Sequence, residues 1–127
     1  MRTTVDIDAE RAYRLIKNKE KCCDKWEKKP CSFYEWYTKQ FIEQEEVCKY
    51  CHLPGDTTQY YGHYFRPVSS KGKRGRHLEV DRMRSKGPYS PKNCVLACYP
   101  CNNAKSDVFS YTEFLEIGKT IMKVKKR

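Results

Sequence analysis

No run in these 127 residues approaches the roughly 18 consecutive apolar positions needed to cross a bilayer, and mean hydropathy is -0.92. A membrane span is thereby excluded and a soluble protein expected. The opening segment Met1-Arg2-Thr3-Thr4-Val5-Asp6-Ile7-Asp8 lacks the apolar core and small-residue cleavage site of a secretory signal, so the expected location is the cytoplasm, of a bacterium or a phage-infected host cell. Internal repeats and low-complexity tracts are missing, and 127 residues leave little room for a second independent domain. Acids are scarce beside bases: 16 Asp and Glu against 26 Lys and Arg give a net charge of +10, which favours a polyanionic partner, nucleic acid before others. Merely basic soluble proteins carry such charge too, so it selects a partner class without deciding a function.

Cysteine is not scarce. Eight of them in a chain read as cytoplasmic point to metal-binding thiols rather than a disulfide scaffold, because a reducing compartment keeps thiols free. Cys48-Lys49-Tyr50-Cys51 and Cys98-Tyr99-Pro100-Cys101 are two C-x-x-C knuckles, each able to present two thiolates to one tetrahedral zinc. Four thiolates close the coordination sphere, so that zinc is expected to hold the fold and perform no chemistry. Positions 52 to 97 lie between the knuckles, far more than the roughly 15–20 residues of a simple zinc ribbon, so a substantial unit is inserted there. Cys22, Cys23, Cys31 and Cys94 remain, and read better as ordinary thiols than as a second zinc site.

Along the chain, Asp8 is expected to cap a helix through Ala12, Leu15, Ile16, Cys23 and Trp26 that ends before Pro30. Ser32-Phe33-Tyr34-Glu35 fits a capping box for a second helix whose stripe is Phe33, Trp36, Tyr37 and Phe41, aromatics read as core rather than base-stacking groups. No helix is expected from Pro54 to Arg76. There Arg66, Lys71, Lys73, Arg74 and Arg76 occur without an acid among them, which suits equally a solvated loop tip and an arm tracking DNA phosphates. His77 to Arg82 reads as a short strand, Gly87-Pro88 as a turn, and Cys94-Val95-Leu96-Ala97 as a second strand. A helix follows from Pro100 to Asp107, and another opens at the capping box Ser110-Tyr111-Thr112-Glu113 with Phe114, Leu115, Ile121 and Met122 on one face. The expectation is an α+β fold: a helical region over 1–47, and a zinc-stapled core with a C-terminal helix over 48–127.

Three segments, Leu78-Glu79-Val80-Asp81-Arg82, Gly87-Pro88-Tyr89-Ser90-Pro91-Lys92-Asn93 and Leu96-Ala97-Cys98-Tyr99-Pro100-Cys101-Asn102-Asn103-Ala104-Lys105-Ser106-Asp107, together resemble the signature of HNH endonucleases. The resemblance covers about Cys48 to Gly118. It is to the branch carrying Asp-Arg and a downstream Tyr in place of the usual acid-His pair, which includes phage homing-type and rare-cutting restriction endonucleases. It implies a ββα-metal core, with a hairpin and the start of a helix gripping a divalent cation. It also implies that Asp81 and Asn102 ligate a catalytic magnesium or manganese ion, that Asn93 ties down the turn, and that Lys105 reaches a flanking phosphate. Oxygen donors suit such hard cations. Asp107 is assigned no catalytic role.

The departure lies at the base. Arg82 stands where most members place a histidine, and a guanidinium with pKa about 12.5 or higher accepts no proton, though its planar fork suits a scissile phosphate. Tyr89 is then the candidate for positioning or deprotonating water, and His77 the alternative base, a strand histidine that reads as readily as structural or DNA-contacting. Three functions follow for test: a metal-dependent endonuclease that cuts or nicks double-stranded DNA site-specifically, forming a homodimer if its cut is palindromic; an HNH scaffold that binds DNA sequence-specifically without cutting; and a zinc-ribbon adaptor for RNA or protein.

Overall fold

The computed structural model describes residues 3–17, 30–61 and 74–126. The chain begins with α1 (Thr4–Ile16), opened by a capping box in which Thr3 Oγ1 accepts from the Asp6 amide at 3.2 Å and Asp6 returns the bond to the Thr3 amide at 3.0 Å. The expected Asp8 cap is thus misplaced: the helix is capped five residues earlier, at Thr3, and Asp8 lies inside it. Ala9, Ala12 and Ile16 are its buried stripe. Cys23 and Trp26 fall outside the described residues.

Helix α2 (Pro30–Glu43) is already helical at the first described residue after 17, so Ser32 and Glu35 lie within it rather than at a helix start. Phe33 and Tyr37 are buried, with the Tyr13 ring of α1 tilted against Phe33 at a centroid distance of 5.1 Å; these aromatics are core, as expected. The helix ends in a Schellman-like reversal: the Glu46 amide donates to Phe41 O at 2.9 Å and the Glu45 amide to Ile42 O at 3.0 Å, with Glu45 at φ 58° where glycine is usual. Gln44 then caps the open edge of the sheet, exchanging two 2.9 Å hydrogen bonds with the Leu96 backbone.

A one-turn helix, α3 (Thr58–Tyr61), lies where no helix was expected; the Asp56 carboxylate holds the Thr58 amide and hydroxyl at 3.1 and 2.7 Å and organises the turn. Thr57 binds Gly75 O through both its amide and its hydroxyl, closing the base of the basic segment between them. Strands β1 (Glu79–Arg82) and β2 (Cys94–Ala97) pair antiparallel, Glu79 opposite Ala97 and Arg82 opposite Cys94. His77 and Leu78 precede the first strand rather than belonging to it. Helix α4 (Tyr99–Lys105) leaves β2 directly, and α5 (Tyr111–Lys125) opens at the Ser110–Glu113 capping box read from sequence. The result is a mixed fold: a two-stranded sheet with α4 packed on β1 and α1 and α2 packed together beside it.

Candidate active site and metal cluster

The two knuckles converge. Cys48, Cys51, Cys98 and Cys101 are buried with their sulfurs all within 4.8 Å of one another, and Cys51 and Cys98 are 3.6 Å apart. A tetrahedron with metal–sulfur bonds of about 2.3 Å has edges of about 3.8 Å, so the cluster fits one metal such as zinc. Burial opposes ionisation of Cys48, yet sulfur contacts from Cys101, Cys51 and Cys98 hold its thiol well below the ordinary value, while those same contacts push Cys101 up. Four thiols crowded this closely call for a cation. Cys94 lies outside the cluster; burial pushes its thiol up to about 12, which makes it a core group. Cys22, Cys23 and the Cys31 side chain lie outside the described residues.

The knuckles dock on β2, where the Lys49 amide donates to Leu96 O at 3.0 Å, and that places Tyr50 against the sheet. Because strand residues two apart share a face, Glu79 and Asp81 point the same way from β1. They line a polar cleft of about 380 Å³ together with Arg82, Tyr89 and Asn102, and with Leu15 and Ile16 of α1. Asp81 is 5% exposed; its Oδ2 accepts from the Tyr50 hydroxyl and lies 3.5 Å from Lys105 Nζ. Burial raises the Asp81 carboxyl above its ordinary pKa, against the pull of Tyr50 and Lys105. Burial and then the Asp81 charge push the Tyr50 phenol far up, so Tyr50 stays a donor.

Asn102 enters from α4, and its Nδ2 donates to Glu79 Oε1 at 3.0 Å. Glu79 in turn receives both prongs of Arg74, whose guanidinium lies 4.2 Å over the Tyr99 ring. Each of the two expected ligands thus has one atom pinned by protein. Asp81 Oδ1 and Asn102 Oδ1 have no protein partner among the described residues. Oxygen donors in a polar cleft, one of them on a buried carboxyl, fit a hard cation.

Arg82 lies 4.5 Å over the Tyr89 ring and donates to Gly87 O at 3.1 Å. Asn93 organises the turn that carries Tyr89: its Oδ1 accepts from the Arg84 amide at 3.0 Å and its Nδ2 donates to Arg84 O and Pro88 O at 3.1 and 2.9 Å. A side chain at Gly87 would disturb this turn, since a Cβ would sit 2.6 Å from Asn93 Nδ2 and displace the amide from its bonds.

Several sequence expectations need correction. Lys105 does not reach solvent or phosphate: it is 0% exposed, and its Nζ donates to Arg82 O at 2.9 Å beside Asp81. Arg74 is no free phosphate contact, since Glu79 holds it and keeps its guanidinium charged. Arg76 is at the surface, 3.7 Å from Asp56. Arg66, Lys71 and Lys73 lie outside the described residues. His77 does not line the cleft; it is buried with neither ring nitrogen hydrogen-bonded, and burial lowers its pKa. Glu79 and Tyr50 escaped the sequence reading, although the E-x-D alternation of β1 was a signal for the first.

With this geometry in place, the family model described as HNH endonuclease matches residues 48–108. A solved structure of the rare-cutting HNH restriction endonuclease PacI, described by its mechanism of DNA perturbation, is similar at 27% identity and a TM-score of 0.68, covering 94% of this chain and 78% of that one. No curated protein matches.

Proposed function

We propose, for a chain whose residues 48–108 form an HNH endonuclease domain, that it is a metal-dependent DNA endonuclease. In this reading Asp81 and Asn102 hold one magnesium or manganese ion and the four cysteines hold one structural zinc. The observation that carries it is the pair of pinned ligands facing one polar cleft, each with an oxygen left over for a cation. When bound, such a cation stabilises charge on the phosphorane and the leaving oxygen. Arg82, already ordered by Gly87 and the Tyr89 ring, supplies a planar fork for the scissile phosphate. Tyr89, whose ring lies under Arg82 in the same cleft, is the side chain assigned to orient the attacking water. The similarity to a restriction endonuclease favours site-specific cutting, and a palindromic double-strand cut needs two such clefts, hence two copies of the chain.

Supercoiled plasmids carrying varied sequences, incubated with magnesium or manganese, are expected to yield nicked or linear product that chelation and Asp81→Asn abolish. Product from the Asp81→Asn protein equal to that of the wild type sinks the reading. One observation favours a second reading, DNA binding without cleavage: among the described residues no histidine lines the cleft, and Arg82 is engaged by neighbours. Gel shifts that survive Asn102→Ala, with no product from any plasmid, would select it.

A further inference from the structure

The thiolate cluster and the cleft meet through one side chain. Tyr50 sits between the two cysteines of the first knuckle, is 2% exposed, and donates a hydrogen bond from its hydroxyl to Asp81 Oδ2. Its ring has little freedom. Phe114 and Tyr111 of α5 pack edge-on against it with centroids 5.1 and 5.9 Å away, and Gly118 lets α5 approach so closely that a Cβ there would lie 2.2 Å from Tyr50 O. A second limb is built alike: Tyr99, inside the other knuckle, lies under Arg74, which grips Glu79, which orients Asn102.

We infer that Tyr50 is a positioning residue through which the cysteine knuckle sets the orientation of Asp81, so that the thiolate cluster governs the cation affinity of the cleft as well as the stability of the fold. This rests on the metal-site reading above. The physical reason is geometric. A carboxylate with one oxygen fixed by a hydroxyl on a rigid, metal-held loop presents its other oxygen in one direction, and partners behind a ligand typically change metal affinity by about 10–100-fold. Lys105 shares Oδ2 but sits on α4, so the ammonium adds charge without linking Asp81 to the first knuckle. Among the described residues, Tyr50 is the one that both binds Asp81 and belongs to the first knuckle.

The test is manganese binding to zinc-loaded protein, followed by electron paramagnetic resonance, in the wild type and in Tyr50→Phe, Tyr111→Phe and Asp81→Asn. Tyr50→Phe keeps the ring and removes the hydroxyl; it is expected to retain one zinc per chain and to bind manganese about 10–100-fold more weakly, with cleavage recovering at high manganese. Tyr111→Phe touches the same ring without reaching Asp81 and is expected to bind as the wild type does. Unchanged manganese affinity in a folded Tyr50→Phe protein overturns the inference alone. Wild-type affinity no better than that of Asp81→Asn overturns the metal-site reading and this inference with it. Should Tyr50→Phe fail to fold, 3-fluorotyrosine placed at position 50 of the intact chain replaces it: a fluorine resonance that shifts with the manganese-free magnesium titration supports the link, and one that does not move refutes it.

Discussion

The cysteine cluster and the cleft are both polar sites inside a small protein, yet they are built on opposite plans. The cluster takes four identical donors from two tight knuckles, buries all of them and leaves no ligand oxygen over. The cleft draws unlike donors from β1 and α4, pins one atom of each and leaves the other free. Closure serves stability, and a half-satisfied ligand set serves binding. The two plans therefore predict different damage when each site is broken.

The largest effect is expected at the cluster. Structural zinc sites supply on the order of 10 kcal/mol or more of folding free energy, so Cys51→Ser, or chelation of the wild type, should abolish the fold. Circular dichroism and metal analysis check this, and a native spectrum without bound metal would show that the core stands alone. Asp81→Asn should do the reverse, leaving the zinc and the fold while cleavage falls about 1000-fold, which corresponds to about 4 kcal/mol of transition-state stabilisation. A loss of zinc in that variant would show that the two sites are not separable in this way.

Between these lies Gly118→Ala, which acts on the boundary. Its Cβ would meet Tyr50 O at 2.2 Å, a backbone atom that cannot swing aside. Overpacking of this kind costs roughly 1–3 kcal/mol or more, to be read from denaturant midpoints. Because the displaced residue is the one holding Asp81, cleavage should fall by more than stability alone explains.

Legibility in the sequence follows the same division. The thiolate cluster could be read because its information is local: two C-x-x-C spacings in a reducing context state donor type and number. The cleft was only half readable. Asp81 and Asn102 came from resemblance to a family pattern, whereas their partners are set by tertiary contacts that no spacing encodes. Lys105 and Arg74 show why. Both read as phosphate contacts, since a lysine one turn along a helix and an arginine in a basic run are usually solvated. Nothing local said that Asp81 and Arg82 O would hold the first and Glu79 the second. The helix start missed at Thr3 is a similar matter: Thr3 and Asp8 could each cap α1, and the Thr3–Asp6 capping box is the one formed, with Ala9, Ala12 and Ile16 buried. Likewise Glu45 takes a left-handed position that a glycine would have announced.

The smallest effect sharpens the comparison from behind the cleft. His77 is buried within the electrostatic reach of Glu79, Arg11 and Arg74, with neither ring nitrogen hydrogen-bonded among the described residues. Burial, helped by the two arginines and opposed by Glu79, lowers its pKa below 6.5, so the folded protein holds it neutral. The unfolded chain takes up the proton first as pH falls through about 6.5. Protons therefore bind the unfolded state in excess there, and stability must decline with acidification from that point down to the folded pKa. His77→Leu removes this dependence along with two unsatisfied buried nitrogens, so its stability at pH 7.5 should match or exceed that of the wild type. Urea titrations of both proteins at pH 7.5 and 5.5 measure the difference in slope, with losses at the thiolates common to both. Since His77 does not line the cleft, cleavage at pH 7.5 should persist in His77→Leu. If it disappears in a folded, zinc-loaded variant, the histidine reaches the chemistry after all, and the cleft extends further behind Glu79 than its lining residues indicate.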